Sequence, residues 1–214
     1  MMIDLLLEGT LDTLIMVFFS SLFALFFGLP LGVFLFITQK DSILPMPLVN
    51  KILGLMVNIT RSFPFIILIV LLLPLSRLLI GTSIGVNAAI ISLSVATIPF
   101  IARLFEGALS EIDKGLIEAS ISLGANKFNI IIMIITETLP SLIHAFIIAI
   151  INIIGYSAMA GALGAGGLGD IAIRVGYQSN QPDVLFYTVI IIIIMVQIIQ
   201  TLGDYIVKKL KSHL

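Results

Sequence analysis

The chain has 214 residues, 59% of them hydrophobic and 11% charged, with a net charge of −1 and a mean hydropathy of +1.22. Soluble domains are about 25% charged, so a water-soluble globule of this size is excluded and the solvent for most of the chain is lipid. The near-neutral balance argues against nucleic acid as a partner, and the absence of cysteine removes disulfide and thiolate chemistry.

The N-terminus, Met1-Met2-Ile3-Asp4-Leu5-Leu6-Leu7-Glu8, is acidic and lacks the basic n-region of a cleavable signal peptide, so no cleavage is expected. Charge-free runs then mark the spans, each needing about 20 residues to cross the hydrocarbon core. They cover residues 13–39, 52–76, 78–102, 138–169 and 184–203. The second contains one charge, Arg61; if 52–76 inserts only in part, four spans remain. The expected fold is a single all-α polytopic membrane domain over 1–214. It has about five transmembrane helices and a charged loop, about 106–137, between the third and fourth.

Lysine and arginine set the orientation. With the C-terminus inside, Lys40, Lys51, Arg103, Lys114, Lys127, Lys208, Lys209 and Lys211 are cytoplasmic, and Arg61 lies near that side. Only Arg77 and Arg174 remain outside, beside Asp4, Glu8, Asp12, Asp170 and Asp183. The N-terminus is therefore expected outside and the 106–137 loop in the cytoplasm.

Within the first span, Gly28-Leu29-Pro30-Leu31-Gly32 predicts a bend, because proline removes a donor and crowds the preceding turn. Arg61 sits in Thr60-Arg61-Ser62-Phe63-Pro64, next to a helix breaker. Either it snorkels to interfacial water or it is a fixed cation that lines a cavity or braces the loop region. The third span ends in Pro99-Phe100-Ile101-Ala102-Arg103, and its helix is expected to continue past the membrane surface.

The loop that follows has helical composition over 112–123. Leu116, Ala119, Ser120 and Leu123 fall at i, i+3, i+4 and i+7, a narrow stripe of small and aliphatic residues. Gly124 follows where a left-handed C′ residue belongs, and Asn126 can cap the next helix. A short amphipathic helix of this kind either seats in the groove of a soluble partner or lies on the lipid interface.

Glu118-Ala119-Ser120, with Gly124 six residues after the Glu and Leu139-Pro140 further on, resembles the coupling-loop signature of ABC importer permeases. Ser120 stands where the usual pattern has alanine. The likeness extends over nearly the whole chain. Thr60-Arg61-Ser62-Phe63-Pro64-Phe65, Asp113-Lys114-Gly115-Leu116-Ile117-Glu118-Ala119 and the glycine-rich run 155–170 together look like methionine-importer permeases. The resemblance implies a homodimer with two ATPase subunits on the cytoplasmic side and a substrate-binding lipoprotein outside. It implies a coupling helix in which Glu118 is the main polar contact with the ATPase, Ala119 and Ser120 complete the contact surface, and Gly124 and Ala125 hold the turn. ATP and magnesium would be bound by the partner, in keeping with the lack of a Walker A pattern here. The chain is then a transport subunit and not an enzyme.

The run 155–170 also fits two other patterns. Gly164-Ala165-Gly166-Gly167-Leu168-Gly169 matches G-x-G-x-x-G, but a dinucleotide site needs a strand before it and a helix after it. Gly167-Leu168-Gly169-Asp170 resembles the Gly-x-Gly-Asp of intramembrane aspartyl proteases, whose chemistry needs a second carboxylate close by. Backbone freedom and close packing explain the glycines instead. A span ending this way can break and line a cavity, with Asn152, Tyr156, Ser157 and Met159 as candidate pathway or gate residues. His144 and His213 lack a second ligand at metal spacing. The mixed-charge loop 171–183 is a candidate contact for a delivering protein.

The resemblance implies the permease of an ATP-driven amino-acid importer of the bacterial inner membrane, with methionine as the expected cargo. The alternatives are an ABC permease for another small amino acid or peptide, and an ATPase-independent carrier or channel. Carriers often show inverted repeats and buried carboxylates. No clear repeat is visible here, and the span cores contain no Asp or Glu.

Overall fold

The structure, a computed structural model, describes residues 2–211; His213 lies outside the described residues. Within them the fold is entirely helical: α1 (Met2–Ile37), α2 (Pro47–Ser62), α3 (Phe65–Ile80), α4 (Val86–Leu109), α5 (Lys114–Ser122), α6 (Lys127–Glu137), α7 (Leu139–Ala160), α8 (Gly167–Asp170) and α9 (Pro182–Lys211). The kinked stretch Gly161–Ala165, broken at Gly164, and a π-helical stretch at Ile171–Gln178 flank α8. Among the described residues, α1, α4, α9 and the stretch Leu139–Ala165 are each long and apolar enough to cross a membrane. The α2–α3 pair meets the same condition only together, and it is bent by 107°. The all-α polytopic fold is thus present, with four spans or, counting the broken pair, five.

The elements run between two ends of the molecule. The start of α1 meets α8, Ile171–Gln178 and the start of α9, through Leu6, Ile171 and Val184. At the opposite end, the turn after α1 faces α5, and the start of α7 faces the end of α9. Most of the basic residues collect at this second end.

Several helix limits differ from the charge-free runs. α1 begins well before residue 13 and carries Asp4, Glu8 and Asp12 on the same helix, Asp4 in its first turn where the helix dipole favours an anion. The run 78–102 is divided. Gly81 caps α3 in the left-handed region at φ 80°, its N–H donating to the Arg77 carbonyl, and Gly85 at φ 94° precedes α4. Counting charges cannot detect such glycine stops. The run 52–76 is also not one helix. Pro64 lacks an N–H and pushes Phe63 into extended conformation (φ −72°, ψ 136°), which ends α2 and turns the chain into α3. Pro30, in contrast, lies inside an uninterrupted α1.

Helices in lipid gain little from hiding apolar surface against one another, so close packing of small residues has to hold them. α1 lies along α4 on this principle. A β-carbon on Gly32 would stand 2.7 Å from the Ala102 carbonyl oxygen and 2.8 Å from Phe105 Cβ, and one on Gly28 would collide with Ile101. Ala24, Ile101, Phe105, Leu142 and Ala149 form the core of this contact together with α7. α3 is tied to α4 by the buried Ser76 hydroxyl, which donates to the Ala88 carbonyl at 2.9 Å and lies 3.0 Å from the Ser92 hydroxyl. Large side chains such as Phe26, Leu78 and Ile193 point outward, as lipid-facing positions should.

Past α7 the chain folds back on itself. Gly164, Gly166 and Gly167 take φ of 90°, 83° and 74°, values that side chains rarely adopt. The returning segment then lies backbone to backbone against the end of α7. A β-carbon on Gly169 would strike the Ala158 backbone, and one on Gly161 would strike Gly169 and Asp170. The Leu168 N–H, fully buried, donates to the Thr13 hydroxyl of α1 at 2.9 Å.

Candidate functional site

α5 is built from local signals and held only lightly by the bundle. Asp113 caps its start, accepting from the Gly115 N–H at 2.8 Å. Its end is a Schellman turn: Ala125 N–H donates to the Ser120 carbonyl at 3.0 Å and Gly124 N–H to Ile121 at 2.9 Å, with Gly124 left-handed at φ 79°. Asn126 then caps α6 by accepting from the Asn129 N–H. No residue of α5 is buried. Ile117 and Ala125 rest against the core, whereas Leu116, Ile121 and Leu123 face outward, Leu123 with 88% of its surface exposed. Glu118 and Ala119 are exposed, and Ser120 is half-buried, its hydroxyl donating to the Leu116 carbonyl. Glu118 also lines a cleft of about 550 Å³ between α5 and the turn after α1, with Lys40, Asp41 and Ile43 on the far wall. The five residues Glu118, Ala119, Ser120, Gly124 and Ala125 are thus neighbours on one protruding element.

Below α5 lies a polar cluster that sequence reasoning missed. Glu106, only 8% exposed, accepts from Arg103 at 2.5 Å and from Gln39 at 3.1 Å. Arg103 also donates to the Gly54 carbonyl at 3.0 Å, and a β-carbon on Gly54 would stand 2.9 Å from that guanidinium. The turn after α1, the middle of α2 and the last turns of α4 are joined here at the root of the loop that carries α5. The i, i+3 spacing of Arg103 and Glu106 was the available signal; Gln39 and Gly54 gave none.

The break between α2 and α3 opens on a cavity of about 190 Å³ lined by Thr60, Arg61, Phe65, Phe100 and Tyr156 among others. Phe65 and Tyr156 stack with centroids 3.6 Å apart, and Arg61 lies 6.0 Å from the Phe100 centroid. Of the four residues singled out on α7, Tyr156 is therefore on a cavity wall. Asn152, Tyr156 and Met159 fall at i, i+4 and i+7, one face of the helix. Asn152 bonds back to the Ile148 carbonyl and Met159 is 45% exposed. Ser157 lies on another face, 2% exposed, its hydroxyl donating to the Ile154 carbonyl. The four are not one cluster.

Asp170 is engaged by Arg174 at 2.6 Å, and that hydrogen bond and charge hold the Arg174 guanidinium above its ordinary value. His144 lines a separate crevice between α4, α7 and α9. Among the described residues no group of three His, Cys, Asp or Glu could hold a metal ion.

A bundle with one broken span, a glycine hairpin closing another, and a lightly held amphipathic helix projecting from one end is the build of a transporter's membrane subunit. The family model described as a binding-protein-dependent transport system inner membrane component matches residues 28–213, and the chain belongs to that family. It is 44% identical over 207 residues to the probable D-methionine transport system permease protein MetI of Vibrio cholerae, covering 96% of this chain and 92% of that one. It is 48% identical over 173 residues to the methionine import system permease protein MetP of Bacillus subtilis, covering 80% and 78%. Its fold matches a chain of the inward-facing MetNI methionine ABC transporter with a TM-score of 0.96 and 44% identity, over 98% of this chain and 97% of that one.

Proposed function

We propose that this chain is the permease of an ATP-driven methionine importer of the inner membrane, acting as a homodimer that forms the translocation path. The near-complete fold match to a chain of a methionine ABC transporter is the observation that carries the reading. The whole chain serves as one transmembrane domain. The ATP and magnesium belong to a separate ATPase subunit, which docks on α5. Glu118 makes the main polar contact, Ala119 and Ser120 complete the surface, and Gly124 and Ala125 set the angle of the turn. Exposed Leu116 and Leu123 on a helix with no buried residue support a docking role.

The grouping of Lys40, Arg103, Lys114 and Lys208 at the α5 end supports a cytoplasmic position for that end and for the C-terminus, with the N-terminus outside. A substrate-binding protein then delivers methionine from the opposite side, near the helical stretch Ile171–Gln178 and the turn before α9. Closure of the ATPases moves α5, the bundle rocks between outward-open and inward-open states, and methionine passes along the dimer axis beside the Asn152, Tyr156 and Met159 face, with Ser157 packed behind it. Labelled-methionine uptake in a strain lacking other routes, with and without this gene, tests the reading. Uptake restored by the gene is the expected result; unchanged uptake refutes it.

A further inference from the structure

The bend between α2 and α3 leaves a cation facing an aromatic box, and from this we infer that the permease itself holds a binding site for one amino-acid zwitterion. Arg61 takes the carboxylate, and Phe65, Phe100 and Tyr156 line the wall against which the side chain rests. The inference rests on the importer reading above and adds the place where the cargo pauses.

Arg61 is the starting point. It stands in the last turn of α2, 6.0 Å from the Phe100 ring centroid, and among the described residues no carboxylate pairs with it. An unpaired cation within a membrane domain is costly, and such groups mark ligand and ion paths. Arg103, by contrast, has its Glu106. The planar guanidinium suits a carboxylate, which it can hold through two parallel hydrogen bonds.

The walls suit the rest of the molecule. Phe65 and Tyr156 stack with planes 11° apart, and Phe100 meets Tyr156 edge-on at 74° with centroids 6.5 Å apart. The half-open cavity, about 190 Å³, is below the roughly 300–1,000 Å³ of clefts for drug-sized ligands and suits a single amino acid. Aromatic rings make favourable contacts with a thioether sulfur, whereas a second cation would face Arg61. The α-ammonium has its own counterpart in the partial negative charge at the carbonyl end of α2, where the Phe63 N–H takes up the Thr60 carbonyl before the chain turns at the break. A broken helix presents both a carbonyl end and an N–H end to one cavity, an arrangement that suits a zwitterion.

The test uses the permease–ATPase complex in lipid nanodiscs, without the substrate-binding protein, photolabelled with a diazirine analogue of methionine. Adducts are mapped on the permease chain and normalised to assembled complex. We expect them to concentrate on residues 60–68, Phe100 and Tyr156. Methionine should protect, and methionine methyl ester, which lacks the carboxylate charge, should protect at least about tenfold less, as the loss of charge-assisted hydrogen bonds predicts. Arg61→Gln should lower labelling by a similar factor, with Arg61→Lys between it and wild type because a point charge replaces a fork. Methionine-protected adducts elsewhere, or an ester that protects as well as methionine, would overturn the site. Both results use the wild-type complex and stand even if Arg61→Gln does not assemble. ATP-driven methionine uptake by the same complex with its binding protein separates the two readings. Uptake without adducts in this cavity sinks the site alone, and no uptake sinks the importer reading.

Discussion

At Gly124 a single residue decides where α5 points. Its φ of 79° lies in the region that costs a side-chain-bearing residue about 1–2 kcal/mol, and open space surrounds it, so the penalty of substitution is conformational and not steric. Gly124→Val should therefore leave the bundle assembled but redirect the end of α5. ATPase activity of the complex should persist while methionine transport falls. Full transport by an assembled Gly124→Val complex would count strongly against α5 as the docking element. This turn was legible in the sequence because its parts are local: Gly124 and Asn126 lie within a few residues of the groups they satisfy. The Arg103–Glu106 cluster was not, since Gln39 and Gly54 reach it from 67 and 49 residues away. The same holds for Arg61, whose place in the sequence allowed both a snorkelling and a cavity-lining role until Phe100 and Tyr156 were brought beside it.

Among the elements, two breaks and one joint carry the functional argument. The joint is the cluster at the root of the α5 loop. Glu106→Ala removes the partner of a guanidinium that is itself only 23% exposed. Breaking a fully buried pair costs about 3–5 kcal/mol and an exposed one under about 1; a loss of about 1–3 kcal/mol is expected here. Thermal unfolding of the purified complex measures it, and Glu106→Gln, which keeps an acceptor, should lose less. The glycine hairpin is less forgiving. Gly169→Val places a side chain against the Ala158 backbone, which cannot give way as a flexible side chain can, so the variant should fail to yield assembled protein by gel filtration. The glycine content of 155–170 suggested that the span breaks there. It did not reveal that the chain returns against Ala158 and Thr13, because a close approach depends on the partner as much as on the glycine. Charge-free runs located the apolar segments for the same local reason that they misjudged the stops at Pro64, Gly81 and Gly85: hydropathy reports the solvent, and backbone geometry ends the helix.

At the scale of the whole molecule, orientation and energy input go together. The natural lack of cysteine allows single-cysteine labelling without a background. In the permease expressed without its ATPase, which would cover α5, Leu123→Cys, at an 88% exposed position, should react with a membrane-impermeant maleimide in inside-out vesicles and not in intact cells. Tyr177→Cys, at a 74% exposed position, should show the reverse. The opposite pattern would place α5 outside, where no ATP-driven partner could reach it. The most direct measurement is accumulation of labelled methionine in proteoliposomes holding this permease, its ATPase and its binding protein. The permease alone should accumulate none, and the complete assembly should concentrate methionine only when ATP is supplied on the α5 side. Concentrative uptake by the permease without any ATPase, or by the complete assembly without ATP, would contradict the mechanism.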